Sequence, residues 1–253
     1  MSFLAIWRSF VVLFLFAFFG VGALIISFII FPFGAVFVKK ERRKRFYSGV
    51  IHKTWKFFTY LMQKSRIIKL VLTNGEKLEN ISGKIIVANH PSFIDIVLLI
   101  GLLPDTVCIA KKELKKNIFM GNIVKSLYLI NDEDNERLLR EAAGVLTEGF
   151  NIIIFPSGTR TVEGEELKLH KGAAMMALHT GADILPVYIH CDTKFLAKNQ
   201  KIYEAGEKPV TYTITLNEII KIVDFARSGG DLTEIQLRNR LNLAIKEQIS
   251  RRF

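Results

Sequence analysis

The feature that most constrains the fold is a long apolar run near the amino terminus, SFVVLFLFAFFGVGALIISFIIFPFGAVFV from Ser9 to Val38, which contains no charged residue. A helix needs roughly 20 apolar residues to cross the hydrocarbon core of a bilayer, and this run is longer. It is also too long for the apolar part of a cleavable signal peptide, and only Arg8 supplies a charge before it. We therefore expect a retained helix that lies in lipid. Its glycines and Pro32 allow either a full crossing or a helix that dips in and returns.

A basic stretch, KKERRKR at residues 39–45, follows directly. Such a stretch marks the cytoplasmic side of a membrane and can bind anionic headgroups, although a topology signal alone explains it equally well. Residues 46–62 repeat aromatic and aliphatic side chains at helical spacing among lysines, which is typical of a helix in a membrane interface. The same face could instead pack on the first helix. We expect residues 1–65 to form a membrane-embedded pair, a hydrophobic helix and a basic amphipathic helix, with a break at FPFG.

From residue 66 to residue 253 the pattern changes to short β-rich runs that alternate with helices. The predicted strands are IIKLVL, KIIVAN, TVCIA, SLYLI, NIIIFP, DILPVYIH and VTYTITL. The predicted helices include DNERLLREAAGVLTEG and KGAAMMALHTG, and a last helix opens after the capping sequence DLTE at Asp231. This alternation predicts a single α/β domain with a mostly buried mixed sheet flanked by helices, and functional residues at the ends of strands.

The chain carries 35 Lys and Arg against 24 Asp and Glu, a formal net charge of +11, so anionic partners are favoured. Nucleic acid is a poor candidate, because the densest basic run adjoins the lipid helix and no recognised nucleic-acid module accompanies it. Cys108 and Cys191 lie in or beside apolar runs, which indicates core packing rather than a disulfide framework or a zinc site. No ligand spacing links the histidines, so no metal is expected.

The stretch VANHPSFID places His90 at the exit of a predicted buried strand. If Pro91 and Ser92 begin the next helix, Asp95 lies about one turn in and its carboxylate can reach back to the imidazole. A carboxylate on one ring nitrogen sets the tautomer and leaves the other nitrogen free to take a proton from a hydroxyl. Alone, this H-x-x-x-x-D pattern is weak evidence for an acid–base pair, because both residues could simply be polar residues in the connection between a strand and a helix. No G-x-S-x-G elbow occurs, which favours direct attack by a substrate hydroxyl.

A second stretch, IIIFPSGTRTVEG, ends a predicted strand and turns through Ser157 and Gly158 to Arg160. Glycine permits a tight turn, and the planar, permanently charged guanidinium of arginine suits a phosphate. An arginine at a strand end is about as often part of a surface ion pair. This stretch by itself therefore leaves phosphate binding and a surface role equally open.

Three blocks in this order resemble a known family, the 1-acylglycerol-3-phosphate and related glycerolipid (lysophospholipid) acyltransferases. NHPSFID is similar to the family's N-H-x-x-x-x-D block, FPSGTR to its F-P-E-G-T-R block and ILPVYI to its later V-P-V/I block. The resemblance covers roughly residues 65–215, and the N-terminal helices also match bacterial members. It implies a glycerolipid-acyltransferase-like domain on a bacterial inner (cytoplasmic) membrane, with that domain facing the cytoplasm.

The resemblance further implies that His90 deprotonates the acceptor hydroxyl for attack on an acyl thioester, and that Asp95 orients His90. The donor would be an acyl carrier protein or coenzyme A thioester, used as a co-substrate with no cofactor. The acceptor would be a lysophospholipid such as 1-acylglycerol-3-phosphate, with its phosphate on Arg160. The other implied substrate-binding residues are Ser157, Gly158, Thr159, Lys111 and Lys112, and those implied to be structural near the site are Asn89, Pro91, Pro156 and Pro186.

The chain departs from the family pattern at two places. Ser157 stands where the family has glutamate. Asn131 and Asp132 stand where the family has a second phosphate-binding arginine, for which Lys111 and Lys112 could compensate. Both departures concern acceptor recognition, so acceptors other than lysophosphatidic acid have to be considered. The stretches LINDED and LPVYIHCDTKFLAKNQ are similar to acyltransferases of bacterial aryl-polyene lipid biosynthesis, which implies a non-glycerolipid acceptor. A rival from another class is a catalytically silent, lipid-binding membrane protein.

Overall fold

The computed structural model describes residues 2–132, 134–162 and 164–250. In these residues seven strands form one sheet flanked by helices, which confirms the predicted α/β class and the mixed sheet. The strands are β1 (Ile68–Thr73), β2 (Ile85–Ala88), β3 (Thr106–Lys111), β4 (Leu129–Asn131), β5 (Asn151–Ile154), β6 (Ile184–Cys191) and β7 (Val210–Leu216). Their order across the sheet is β1-β7-β6-β2-β5-β3-β4.

The neighbouring strands β6, β2, β5, β3 and β4 run parallel. Strand β7 is antiparallel to β6, and β1 is parallel to β7. The central strands β2 and β5 are buried throughout and consist mainly of isoleucine and other small or branched apolar residues, as strands covered on both faces do. The carboxyl ends of β2, β5 and β6 meet at one edge of the sheet, and this edge positions the site.

The helices follow the predicted pattern closely in the α/β domain. They are α1 (Phe3–Ile25), α2 (Phe31–Phe37), α3 (Lys40–Lys64), α4 (Asp95–Leu102), α5 (Gly121–Leu127), α6 (Asn135–Thr147), α7 (Gly172–Thr180), α8 (Ile222–Arg227) and α9 (Glu234–Ile249). A capping box of Thr233 and Gln236 opens α9. The predicted strand SLYLI is wrong in its first half, because α5 continues to Leu127 before β4 begins.

The apolar run forms a continuous helix from Phe3 to Phe37, without the break predicted at FPFG. A π-helical segment, Ile26–Ile30, joins α1 to α2, and Pro32 lies in the first turn of α2, where proline is tolerated. The helix ends at Val38, whose backbone is extended. Within the described residues this is the one helix long and apolar enough to cross a membrane. The prediction of a membrane-embedded pair is therefore wrong, since only the first helix has that character.

The second N-terminal helix, α3, packs its aromatic face on the α/β domain. The side chains of Ile51, Trp55 and Phe58 are buried and belong to the same hydrophobic core as the central sheet. The backbones of α3 and α4 come close at Gly101, where an added Cβ would lie 3.2 Å from the backbone nitrogen of Lys56. Of the two placements left open by the sequence, packing is the one observed. The ring of Phe58 packs on Phe16 and Phe19 of α1, with centroids 5.9 and 4.8 Å apart, and α3 also packs extensively on α4. The division of the chain at residue 65 remains a prediction.

Two residues of the basic stretch 39–45 connect α3 to the domain. Arg45 forms an ion pair with Asp105 (2.5 Å) and donates to the carbonyl of Glu148 (2.9 Å). Lys44 forms an ion pair with the carboxylate of Glu148 (3.2 Å). These pairs are partly exposed, so each contributes little to the free energy of unfolding. The stretch thus has a docking role in addition to the topology or headgroup role predicted for it.

Arg8 is buried, with 6% of its surface exposed, although it lies in the apolar helix α1. Its guanidinium donates to four backbone carbonyls, those of Arg66 (2.6 Å), Ile67 (3.2 Å), Gly206 (3.2 Å) and Lys208 (2.8 Å). These dipoles compensate for the loss of water around the charge. The first turns of α1 are therefore fastened to the start of β1 and to the loop that precedes β7.

Candidate active site

His90 and Asp95 form a hydrogen-bonded pair at the carboxyl end of β2. The distance from Nδ1 of His90 to Oδ2 of Asp95 is 2.8 Å. The path between them differs from the predicted one, because Pro91 and Ser92 precede a turn at Phe93 and Ile94, and α4 begins at Asp95 itself. The turn bends the chain back on itself, so a separation of five residues suffices for contact without an intervening helical turn.

The carboxylate of Asp95 is fully buried. Burial raises the pKa of Asp95 above its ordinary value, while the hydrogen bond and charge of His90 and the hydrogen bonds from Ser92 oppose that rise. The backbone N–H of Ser92 donates to Oδ2 at 2.7 Å. Oδ1 of Asp95 has no hydrogen-bond partner among the described residues. The two donors on Oδ2 therefore hold the carboxylate in one orientation toward the imidazole.

Two further contacts hold His90 in place, and sequence reasoning missed both. Phe155, directly after β5, stacks on the imidazole with ring centroids 4.3 Å apart and planes 20° apart. The backbone N–H of Thr161 donates to the carbonyl of His90 at 2.7 Å. Phe155 precedes Pro156 in the second block and follows β5. Because β5 and β2 are adjacent parallel strands, the sequence could have predicted that Phe155 lies close to His90. The stretch that follows β5 therefore packs directly on the His90 ring.

The turn after β5 has the tight geometry expected of the sequence FPSGTR. Gly158 has φ +65°, a region that favours glycine, and an added Cβ would lie 3.4 Å from the ring of His170. The hydroxyl of Ser157 donates to the carbonyl of Thr159 at 2.7 Å, so Ser157 stabilises the turn. The backbone N–H of His170 donates to the carbonyl of Pro156 at 2.8 Å. His170 is exposed and supports this turn through that hydrogen bond.

Arg160 reaches across to the loop after β6. One guanidinium nitrogen, Nη1, donates to the carbonyls of Leu196 and Ala197, both at 2.9 Å. The backbone N–H of Phe93 also donates to the carbonyl of Leu196, at 3.0 Å. No hydrogen bond from the other guanidinium nitrogens to a described residue is present. Arg160 is therefore partly fixed by the protein and keeps donors for an anion.

The predicted structural residues lie close to the pair. The side chain of Asn89 forms two hydrogen bonds with the backbone of Ile189, donating to its carbonyl (2.8 Å) and accepting from its N–H (2.7 Å). These two hydrogen bonds extend the β2–β6 pairing beyond Ala88 toward His90. Pro186 is paired in register with Val87, three residues before His90. Asn89 and Pro186 therefore hold β6 against the strand that carries His90.

The predicted lysines lie further away along the same edge. Lys111 ends β3 and Lys112 begins the 3-10 turn Lys112–Lys116, and β5 separates β3 from β2. Neither lysine forms a hydrogen bond or an ion pair with a described residue of the His90 site. Lys112 instead interacts with the charge of Asp132, which forms an ion pair with Arg137. The structure thus brings these lysines to the site's edge of the sheet and not to the catalytic pair.

A cavity of about 550 Å³ opens beside the His90–Asp95 pair. It lies between the loop after Arg160, the carboxyl end of β6 and the end of α9. Its wall combines apolar and charged side chains. The lining residues nearest to the site are Asn89, Pro91, Thr161, Phe195 and Ala197, and the charged ones are Glu165, Glu166, Lys194, Lys198 and Lys246. A substrate with both polar and apolar parts fits such a lining.

Other reactive side chains are poorly placed for chemistry here. Cys108 is buried, and burial raises the pKa of its thiol to about 12, so it carries no thiolate at neutral pH. In the part of the chain that the structure describes, no group of three or more His, Cys, Asp or Glu side chains is arranged to hold a metal ion. Of the residues with acid–base capacity on this edge, His90 and Asp95 form the hydrogen-bonded histidine–carboxylate pair.

Comparison with known proteins identifies the family. A family model described as Acyltransferase matches residues 69–190. The chain is similar to the 1-acyl-sn-glycerol-3-phosphate acyltransferase of Borreliella burgdorferi, with 29% identity over 170 residues, 64% of this chain and 67% of the relative. It is also similar to the enzyme of that name from Bacillus subtilis, with 28% identity over 179 residues, 69% of this chain and 85% of the relative.

A solved structure shares the whole architecture. The crystal structure of the 1-acyl-sn-glycerophosphate (LPA) acyltransferase PlsC from Thermotoga maritima matches with a TM-score of 0.68 and 25% identity, over 95% of each chain. The family model spans both the His90–Asp95 pair and the Arg160 turn. The aryl-polyene branch stays a prediction. These matches together show an acyltransferase domain at residues 69–190 and identify the chain as an O-acyltransferase.

Proposed function

We propose that the protein transfers an acyl group from a thioester to the hydroxyl of a lysophospholipid such as 1-acylglycerol-3-phosphate. The observation that carries the proposal is the hydrogen bond between Nδ1 of His90 and buried Asp95. A carboxylate in this position favours the tautomer in which Nδ1 carries the proton and Nε2 is free to accept one. The names of the similar proteins favour the same activity.

In the proposed reaction Nε2 of His90 takes the proton of the acceptor hydroxyl as its oxygen attacks the thioester carbonyl. The C–O bond forms, the tetrahedral intermediate collapses and the C–S bond breaks. The leaving thiolate receives the proton from the imidazolium, so His90 returns to its starting state. Asp95 stabilises the imidazolium while it exists. The donor is a carrier-protein or coenzyme A thioester, and no metal or cofactor takes part.

Arg160 is proposed to bind the anionic part of the acceptor. Its Nη1 is held by the carbonyls of Leu196 and Ala197, which presets the direction of the remaining N–H donors. A planar guanidinium with preset donors matches a phosphate well. Lys111 and Lys112 are proposed as longer-range contributors of positive charge. The adjacent cavity of about 550 Å³ is lined by Asn89, Pro91 and Thr161, the chain neighbours of His90 and Arg160, and is proposed to take the acceptor headgroup.

The apolar helix is proposed to lie along one leaflet and not to cross the bilayer. Arg8 contacts the start of β1, Phe16 packs near Phe93 (ring centroids 6.2 Å apart) and Phe31 stacks on Tyr47 (4.0 Å). The helix segment from Arg8 to Phe31 is about 35 Å long at ~1.5 Å per residue, slightly more than the ~30 Å hydrocarbon core. A helix in contact with the α/β domain over that length cannot cross without drawing the domain into the lipid.

The outward face of this helix supports lipid contact. Large apolar side chains line it, and they extend to Phe93 three residues after His90. The exposed members are Phe3, Trp7, Phe10, Phe14, Phe18, Val21, Ile25, Phe28, Ile29, Phe33, Val36, Phe37 and Phe93. So large an exposed apolar surface marks a membrane or protein contact. We propose the inner membrane of a bacterium, with the domain and the basic stretch 39–45 on the cytoplasmic side.

The test is mass spectrometry of acyl transfer by the full chain in detergent or lipid. Donors would be acyl-carrier-protein and coenzyme A thioesters, and acceptors a panel of lysophospholipids that includes lysophosphatidic acid. Wild type would be compared with His90→Ala and with the control His179→Ala, an exposed histidine of α7. We expect product from wild type and the control, and none from His90→Ala.

Product that persists in His90→Ala would overturn the mechanism. No product from any donor–acceptor pair, with the protein folded and lipid-bound, would overturn the lysophospholipid proposal. A hydroxylated non-glycerolipid acceptor of the aryl-polyene type would then be the next substrate to supply. Failure with that acceptor too would favour the silent lipid-binding protein.

A further inference from the structure

A buried chain of hydrogen bonds connects the catalytic pair to the far side of the sheet. Tyr212 of β7 is fully buried, and its hydroxyl donates to Oγ of Ser92 at 2.8 Å. Ser92 is 1% exposed and donates its backbone N–H to Oδ2 of Asp95 at 2.7 Å. Asp95 in turn contacts His90. Three buried polar residues, Tyr212, Ser92 and Asp95, thus link β7 to the partly exposed imidazole of His90.

The direction of this chain is determined by the donors around Ser92. Oγ of Ser92 accepts from the hydroxyl of Tyr212 and from the backbone N–H of Ile94 (3.2 Å). Ser92 is therefore held through its hydroxyl from two sides, while its backbone N–H donates to Oδ2 of Asp95. The hydroxyl of Tyr212 and the N–H of Ser92 both donate in the direction of the carboxylate.

We infer that Tyr212 is a positioning residue of the active site, which anchors Ser92 through its hydroxyl and so holds the backbone N–H of Ser92 on Asp95 and the carboxylate aimed at His90. The inference rests on the proposed function. Burial alone works against an ionised Asp95, and its Oδ1 has no partner among the described residues. The donors on the carboxylate therefore decide whether it is available to stabilise an imidazolium, and Tyr212 orders one of them.

Tyr212 has a second contact that offers a competing explanation. Its hydroxyl lies 3.4 Å from the carbonyl of Phe195, in the loop whose next two carbonyls bind Arg160. That distance is long for an O–H···O bond, whereas 2.8 Å to Ser92 is ordinary. A role through the loop would act on the acceptor's anionic group and change KM for the acceptor. A role through Ser92 would act on proton transfer and change kcat.

The experiment is Tyr212→Phe in the full chain, with Tyr128→Phe as the matched control. Tyr128 is also buried, but its hydroxyl has no hydrogen-bond partner among the described residues. For Tyr212→Phe we expect kcat to fall by about two- to tenfold, the effect of one neutral hydrogen bond, with KM for the acceptor unchanged. Tyr128→Phe should leave kcat unchanged.

The pH profile separates positioning from simple packing. The hydroxyl of Tyr212 anchors Ser92, whose N–H dipole presents its positive end to Asp95, so loss of this anchor weakens the donor and lets the His90–Asp95 pair hold a proton more tightly. The acid limb of kcat against pH should therefore move to higher pH in Tyr212→Phe. Ser92→Ala should move it in the same direction. The fold-decrease in kcat of the double variant should be smaller than the product of the fold-decreases of the two single variants, because both residues act through the same chain of hydrogen bonds.

An unmoved acid limb, or a raised acceptor KM with unchanged kcat, would overturn the inference. NMR titration of the His90 ring in wild type and Tyr212→Phe gives a readout without turnover, with His90→Ala used to assign the signal. The midpoint should rise in the variant, and equal midpoints would overturn the inference even if no acyl transfer is found. Wild-type transfer with a normal Tyr212→Phe profile would contradict this inference and leave the proposed function intact.

Discussion

At the scale of single residues, the most consequential group is Asp95, a buried carboxylate with a raised pKa. A carboxyl group whose pKa is raised by folding destabilises the native state while it is ionised. The native state gains stability as the pH falls through that pKa. The site therefore keeps an ionised group at a cost in stability, as functional sites often do.

This predicts opposite effects of Asp95→Asn on activity and stability. Acyl transfer should fall by about 10²- to 10⁴-fold, because asparagine can no longer stabilise the imidazolium or enforce the tautomer of His90. The midpoint of thermal unfolding of Asp95→Asn at pH 7 should be higher than that of wild type. The difference between the two midpoints should become smaller as the pH is lowered toward 5. Calorimetry at both pH values, beside turnover measurements, checks the prediction. A lower midpoint at pH 7 would contradict it.

Ser157 gives a second prediction at this scale. Its hydroxyl only closes the turn onto the carbonyl of Thr159, so the position carries no charge near Arg160. Ser157→Glu should change the ranking of acceptors across a lysophospholipid panel more than it changes turnover with the best acceptor. Ser157→Ala, which removes the turn bond without adding charge, should leave the ranking as it is. Identical rankings for all three proteins would argue against a role in acceptor choice.

At the scale of elements, the sheet carries the site and α1 is docked against it. The carboxyl ends of β2 and β5 supply His90 and the Arg160 turn, and the loop after β6 closes the other side through its contact with Arg160. The apolar helix is held at its beginning by Arg8, whose four hydrogen bonds reach both the start of β1 and the loop before β7.

Arg8→Met should therefore destabilise the protein. Methionine is an unbranched side chain of comparable length, but the substitution leaves four buried or partly buried carbonyls without the guanidinium donor, at a cost of about 2–4 kcal/mol in the free energy of unfolding. Arg42→Met, at an exposed position of α3, is the control and should change stability little. Thermal unfolding in the same detergent compares the two. Equal midpoints for both variants would show that the docking contacts of Arg8 are dispensable.

At the scale of the whole molecule, the question is how the apolar helix meets the bilayer. If it lies along one leaflet, positions 2 and 40, which flank it, face the same aqueous side. Ser2→Cys and Lys40→Cys, each in a background without Cys108 and Cys191, are exposed to an impermeant maleimide in sealed vesicles. Either both cysteines should be labelled or neither should be. A permeant maleimide should label both. Labelling of one position and protection of the other would establish a crossing.

The elements of the α/β domain were accessible to sequence reasoning because local patterns specify them. The strand VTYTITL alternates as a half-buried strand does and matches β7 from Val210 to Leu216. Errors fall where tertiary contacts override local signals. Proline in FPFG predicts a break, but a π-helical segment accommodates it. The aromatic face of α3 suits lipid as well as protein, and only the packing of α3 on α1 and α4 decides between them.

For the site, the His90–Asp95 pair and the Arg160 turn could be predicted from the sequence, because each depends on residues close together in the chain. Their surroundings could not, because these come from contacts between distant segments. Tyr212 lies 120 residues from Ser92 in sequence, and no local pattern indicates that their hydroxyls meet. Arg160 likewise finds its carbonyl partners 36 and 37 residues away. Buried polar groups must find partners wherever the fold supplies them, and those partners are set by the packing of strands distant in sequence.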